Sequence, residues 1–201
     1  AIKSHRLGVA GNMPSIITHS VVGVMVSRMH GGTAPKRFWV LSALLPVLPD
    51  IDVIGLFFGF SVEDMLGHRG ITHSVWFASM VGVLAVIIFF RNSGLTRKAM
   101  ISLVAYFFFL TASHGFLDAF NDSNVGVAFW APFENERYLF PFNPIVPSSV
   151  LLIDSSVLSV SLFFEKIYIL LRSEILWIWV PLLALFGGNR LLLRLVKRGS
   201  S

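Results

Sequence analysis

The sequence predicts an all-α fold, a polytopic membrane helical bundle of about five transmembrane helices with a long non-cytoplasmic loop. Three observations carry this expectation. The mean hydropathy is +0.75, and 55% of the residues are hydrophobic. Only 13% are charged, about half the share of an ordinary soluble domain. The apolar runs reach membrane length and carry basic residues at their ends.

Residues 14–29 form the first apolar run. Residues 38–60 form the second, and Pro46 and Pro49 inside it should kink or break the helix. The third run covers 72–90 and the fourth 99–120. The last covers 175–195, with Pro181 and Gly187-Gly188 inside it. Between the fourth and last lies a long region, 121–174, rich in Pro, Asn and aromatic residues in its first half. A connection of that length points to function. Its second half, 146–171, is apolar but interrupted by Asp154 and Glu165-Lys166. It would make a sixth crossing, but an interfacial helix is preferred, because a sixth would put the ends of the last helix on the wrong sides. The chain reads as one membrane-embedded domain, 1–201, in which residues 1–12 are foreign or flexible and 199–201 are a remnant.

Arg28, Lys36 and Arg37 lie between the first two runs, and Arg91, Arg97 and Lys98 between the third and fourth. Arg190, Arg194, Lys197 and Arg198 follow the last. Five crossings place these ten of the sixteen Lys and Arg on one face, which the positive-inside bias makes cytoplasmic. Lys3 and Arg6 then lie outside. The net charge of +5 is therefore a topology signal, and no solvated basic patch points to nucleic acid. The absence of cysteine excludes disulfides and thiolate zinc sites and leaves His, Asp and Glu as ligands. No cleavable signal pattern is seen.

Four of the six histidines sit among acids or other histidines in otherwise oily stretches: Thr18-His19, Pro49-Asp50-Ile51-Asp52, His68-Arg69-Gly70-Ile71-Thr72-His73 and His114-x3-Asp118. Ionisable groups buried in such segments need partners or an ion, and with five crossings all four clusters converge toward the outer leaflet. His114 and Asp118 share a helical face and read either as a metal pair or as a hydrogen-bonded pair. Asp50 and Asp52, if extended, point the same way. They bridge two metals, or one binds while the other acts as base, or they merely form a turn. His68 fits a loop and His73 a helix start capped by Thr72 or Ser74. Arg69 either holds a substrate anion or pairs with Glu63 or Asp64. His19 alone reads as a core histidine. Glu134 and Arg137 in the outer loop are further substrate-binding candidates, while Glu136, His5 and His30 read as solvent or interface residues.

Pro-Asp-Ile-Asp, His-Arg-Gly-Ile-Thr-His-Ser and His-x3-Asp, with the upstream Thr-His, resemble the YdjM-like family of membrane-bound metal-dependent hydrolases over roughly residues 14–144. That family is similar at a distance to zinc-dependent phospholipase C and the S1/P1 nucleases. The resemblance implies that His19, Asp50, Asp52, His73, His114 and Asp118 are metal ligands, with His68 a further one. His114 is the last histidine, so the second histidine helix of the phospholipases is missing and one or two Zn2+ ions are expected in place of three. The expected activity is hydrolysis of a membrane lipid or headgroup bond, phosphoester first and carboxylic ester or amide second. Asp52, His68 and Arg69 are the expected catalytic residues, and Arg69, Glu134 and Arg137 the substrate-binding ones. The expected location is the bacterial inner membrane, with the site toward the outer leaflet. A non-enzymatic metal- or proton-binding or transport protein is the alternative.

Overall fold

A computed structural model describes residues 14–29, 33–123, 125–151 and 160–199. Lys3, His5, Arg6, His30 and Asp154, and hence the expectations attached to them, lie outside the described residues. The described chain is helical, with two isolated β-bridges and no strand. The helices are α1 (Ile16–Met29), α2 (Lys36–Leu44), α3 (Val53–Phe57), α4 (Val75–Phe90), α5 (Arg97–Ala119), α6 (Val160–Glu174) and α7 (Val180–Gly199).

The two prolines of the second run act as expected. α2 ends at Leu44, a 3-10 helix runs over Leu48–Asp52, and the axis bends by 55° across the break. Arg97–Ala119 is long and apolar enough to cross a bilayer, and the bent pair makes a further span if taken as one. α1 and α4, at 14 and 16 residues, reach only about 21–24 Å, short of a hydrocarbon core of about 30 Å. All five expected apolar segments are thus helical, but they are unequal in reach.

The region before the last helix differs from expectation. A π-helical turn, Ile175–Trp179, joins α6 directly to α7. Residues 161–191 therefore form a single membrane-length helix, where a separate interfacial or partly buried helix over 146–171 was expected. The charges Glu165-Lys166, which argued for a break, sit within α6, where both are half-exposed or exposed.

Packing follows from which faces are apolar. α4 buries Ala78, Val81, Ala85, Val86 and Phe90 against Phe107 and Leu110 of α5 and Phe38 and Leu41 of α2. Its opposite face, with Met80, Leu84, Ile87 and Ile88, is equally apolar and exposed. An apolar outer face is stable in lipid and is the mark of a membrane helix. Gly82 lets α4 and α5 approach closely, because a Cβ there would lie 2.9 Å from the Val104 carbonyl oxygen.

The helices share a polarity. Asn189 of α7 donates to the carbonyl of Met29 at the end of α1. α2 and α5 start at that same end, and α4 finishes there, so Arg28, Lys36, Arg37, Arg91, Arg97, Lys98 and Arg190 gather at it. The His/Asp clusters lie at the other end, where the start of α4, the end of α5 and the break after α2 meet.

Candidate metal centre

Proline chemistry builds one wall of the site. In the 3-10 turn after α2, the carbonyl of Pro46 would normally accept a hydrogen bond from the N–H of residue 49. Pro49 has no N–H, and the N–H of Asp50 turns to Val47 instead. The open Pro46 carbonyl accepts from His114 Nδ1 at 2.7 Å. That bond fixes the tautomer and aims the Nε2 lone pair of His114 inward.

Asp52 does the same for two more imidazoles. His68 Nδ1 lies 2.8 Å from its Oδ1, and His73 Nδ1 3.0 Å from its Oδ2. Thr72 Oγ1 and the Arg69 N–H also donate to Oδ2, at 2.5 and 3.1 Å. The 3-10 geometry separates the two aspartates, which corrects the extended-segment expectation that they point the same way. Asp52 becomes the holder of His68 and His73, and its oxygens are already committed, which tells against a role as free base. Asp50 faces the centre.

There, His73 Nε2, His114 Nε2, Asp50 Oδ1 and Asp118 Oδ2 surround one point. The two nitrogens are 3.0 Å apart. His73 lies 3.9 Å from Asp50 and 3.4 Å from Asp118, and His114 lies 3.2 and 3.7 Å from the same two oxygens. Four N/O ligands at the usual zinc bond lengths stand about 3.3 Å apart in a tetrahedron. His19 completes the group, with its ring stacked 3.9 Å from that of His114 and its Nε2 3.6 Å from Asp118 Oδ1. All four histidine side chains and that of Asp118 are fully buried.

The donor set fits a divalent cation. The oxygens of Asp50 and Asp118, both ring nitrogens of His19 and His68 Nε2 are buried with no hydrogen-bond partner. Buried carboxylates are rarely left so. Both Nε2 atoms of the 3.0 Å pair present lone pairs to each other, since each Nδ1 carries its proton to an acceptor. A cation between them removes that repulsion. Two ligand groupings, His19/His114/Asp118 and Asp50/His68/His73, leave room for one or two ions, and the all-N/O chemistry suits zinc among several metals.

Arg69 sits behind the carboxylates. It is fully buried, with φ of 64°. Its Nε lies 3.2 Å from Asp118 Oδ2, and its Nη1 donates to Ser123 Oγ at 2.7 Å and to the Val125 carbonyl. Its salt-bridge partner is therefore Asp118, not Glu63 or Asp64, and the contacts seen are internal ones, not those of an open anion clamp. Arg137 spends Nη1 and Nη2 on the carbonyls of His68, Gly126 and Asp64, which ties the outer loop to the site's back wall. Burial and the neighbouring Arg69 charge lower its pKa. Glu134 is exposed and accepts from the Tyr138 hydroxyl at 2.8 Å, a bond that pushes the phenol up to about 12. Neither residue joins the cluster, and both help to fold the loop. Ala128 N–H to the Arg69 carbonyl and Val75 N–H to the Phe129 carbonyl press that loop against the motif. Gly115 admits the His73 backbone to α5, since a Cβ there would lie 2.8 Å from the His73 oxygen.

Sequence reasoning passed over three contributors. Thr72 orients Asp52, while the helix cap is Ser74, which accepts from Phe77 N–H. Ser123 holds Arg69. Glu174 is fully buried and accepts from Thr18 Oγ1 at 2.7 Å and from both Ser15 groups. It thereby caps α1 one turn from His19. The first was open to reading from its neighbours in the motif, and the second was not, because Arg69 lies 54 residues from Ser123. The third was not, because its partners lie more than 150 residues away.

Comparison with known proteins agrees with the sequence motifs. The model of the YdjM inner membrane protein family matches residues 13–199. The chain is 31% identical over 178 residues to the inner membrane protein YbcI of Escherichia coli (strain K12), a match covering 87% of this chain and 96% of YbcI. No solved structure matches, and the family and relative found do not extend to the expected zinc phospholipases and S1/P1 nucleases. With its whole described length inside the matched span, the chain belongs to the YdjM inner membrane protein family.

Proposed function

We propose that the chain is a membrane-bound metal-dependent hydrolase acting on a lipid or headgroup bond, with a phosphoester favoured. The observation that carries this reading is the close approach of His73 and His114 to each other and to Asp50 and Asp118, with buried carboxylate oxygens that lack a hydrogen-bond partner. A divalent cation held there would supply a Lewis acid and lower the pKa of a water.

The protein's own groups divide the remaining work. His68, with Nδ1–H on Asp52 and Nε2 unpaired, is placed to take a proton from water and return it to the leaving oxygen. Asp52 holds that imidazole in register. Arg69, with its Nε 3.2 Å from Asp118 Oδ2, aims that carboxylate. A lipid substrate is supported by a cavity of about 370 Å³ beside His73, lined by Phe109, Phe116, Phe129 and other apolar groups. Phe109 and Phe116 are exposed on the outside of α5, so the cavity is suited to admit an acyl chain laterally. A transport role would require a polar path to the basic end. The aromatic and aliphatic core of Phe38, Leu41, Phe90 and Phe107 stands in that direction and favours hydrolysis.

The test is incubation of metal-loaded protein with a total lipid extract, followed by product masses. Release of a headgroup or phosphate supports phosphoester cleavage, and a freed fatty acid supports the carboxylic ester reading. No product with loaded protein, across extracts, would remove the enzyme proposal.

A further inference from the structure

A second cavity lies at the other end of the bundle and plays no part in the chemistry above. It measures about 670 Å³ and is lined by Phe38, Phe90, Leu103 and Tyr106, with Arg37 and Lys98 among its lining residues. Both cations are exposed. Arg37 lies over the Phe90 ring at 5.0 Å.

The charge around it is one-sided. No Asp or Glu occurs before Asp50 or between Asp64 and Asp118, so α1, α2 and α4, and α5 up to Gly115, bring no acid to this end. Among the described residues, Arg69 with Asp118 is the one Arg or Lys ion pair, so the cations at this end are not neutralised. α2 and α5 also point their N-termini here, each with two basic residues and no acid in its first turn. A positive helix end beside positive side chains is unfavourable until an anion arrives. The floor is apolar, and Lys98 lies about 30 Å along α5 from Asp118, close to a bilayer core in length. The mouth therefore lies at the depth of the headgroups of the opposite leaflet.

We propose that this cavity binds one anionic phospholipid of that leaflet, with the phosphate at Arg37 and Lys98 and part of an acyl chain over Phe38, Phe90 and Leu103. The site is separate from the metal centre and does not depend on the hydrolase reading. Tyr106 is not available to the headgroup, because its hydroxyl is bonded to Ser42 at 2.8 Å.

Native mass spectrometry of the full chain tests this, with phosphatidylglycerol and phosphatidylcholine of matched acyl chains as probes. The wild type should retain one phosphatidylglycerol and little phosphatidylcholine. The Arg37→Gln/Lys98→Gln variant should lose phosphatidylglycerol by about tenfold or more, the scale expected of two near-surface cations. An Arg91→Gln/Arg97→Gln variant, which alters charges outside the cavity lining, should retain it. Ser102→Trp, which fills the cavity and leaves both cations in place, should also lose the lipid. Equal retention of the two lipids by the wild type needs no variant to fold and would overturn the proposal. So would an equal loss in both glutamine variants, or full retention by Ser102→Trp.

Discussion

Four side chains at the centre are held from behind. His114 has the Pro46 carbonyl, His68 and His73 share Asp52, and Asp118 has Arg69. Such supports are worth about 10–100-fold in metal affinity, so Asp52→Asn should lower affinity within that range while the ligands themselves stay in place, as read by competitive chelator titration. Arg69→Met removes the guanidinium that pairs with a fully buried carboxylate. It should destabilise the fold by about 3–5 kcal/mol, measured by unfolding in detergent, and no loss would mean that Asp118 is satisfied elsewhere. His68→Gln should abolish turnover of the lipid found in the extract assay while sparing bound metal. Loss of metal there would make His68 a ligand in place of a proton carrier. The motif residues were legible in sequence because histidines and carboxylates are costly in an apolar chain unless they pair or hold an ion. Their division of labour was not. Whether Asp50 or Asp52 faces the centre depends on the turn between them, and the direction of Arg69 depends on a positive φ that its neighbours do not announce.

The break after α2 is the element that does most for the site. Pro49 opens the Pro46 carbonyl, and the resulting 3-10 turn sends Asp50 inward and Asp52 toward the histidine motif. Pro49→Ala restores an N–H that can close on Pro46, so it should weaken metal binding by about tenfold with little change in helix content by circular dichroism. Unchanged affinity would show that His114 is fixed without that carbonyl. The joined helix of α6 and α7 works at longer range, through Glu174 on Ser15 and Thr18. Glu174→Ala leaves those donors buried without an acceptor and should cost about 1–3 kcal/mol, while Glu174→Gln should recover part of it. The prolines made the break predictable. The continuity across Glu174 was not, because Glu165-Lys166 reads as an interruption, although a helix end at lipid depth tolerates charges on its outer face.

Among the described residues, the clustered cations Arg28, Lys36, Arg37, Arg91, Arg97, Lys98 and Arg190 lie at one end and the His/Asp ligands at the other. That segregation was legible from charge placement alone, and the paired ends of α1 and α7 agree with it. The bilayer side of each end is testable in a chain without cysteine. Ser93→Cys should react with an impermeant thiol reagent only in inverted inner-membrane vesicles, and Glu134→Cys only in intact spheroplasts. The reverse pattern would place the metal centre on the cytoplasmic side. The central claim concerns that centre, and elemental analysis of purified protein reaches it most directly. The wild type should carry one or two divalent ions per chain, and His114→Ala and Asp118→Ala, each still folded by circular dichroism, should carry far fewer. A metal-free wild type after purification with added zinc, manganese or iron, or metal unchanged in both variants, would contradict the account.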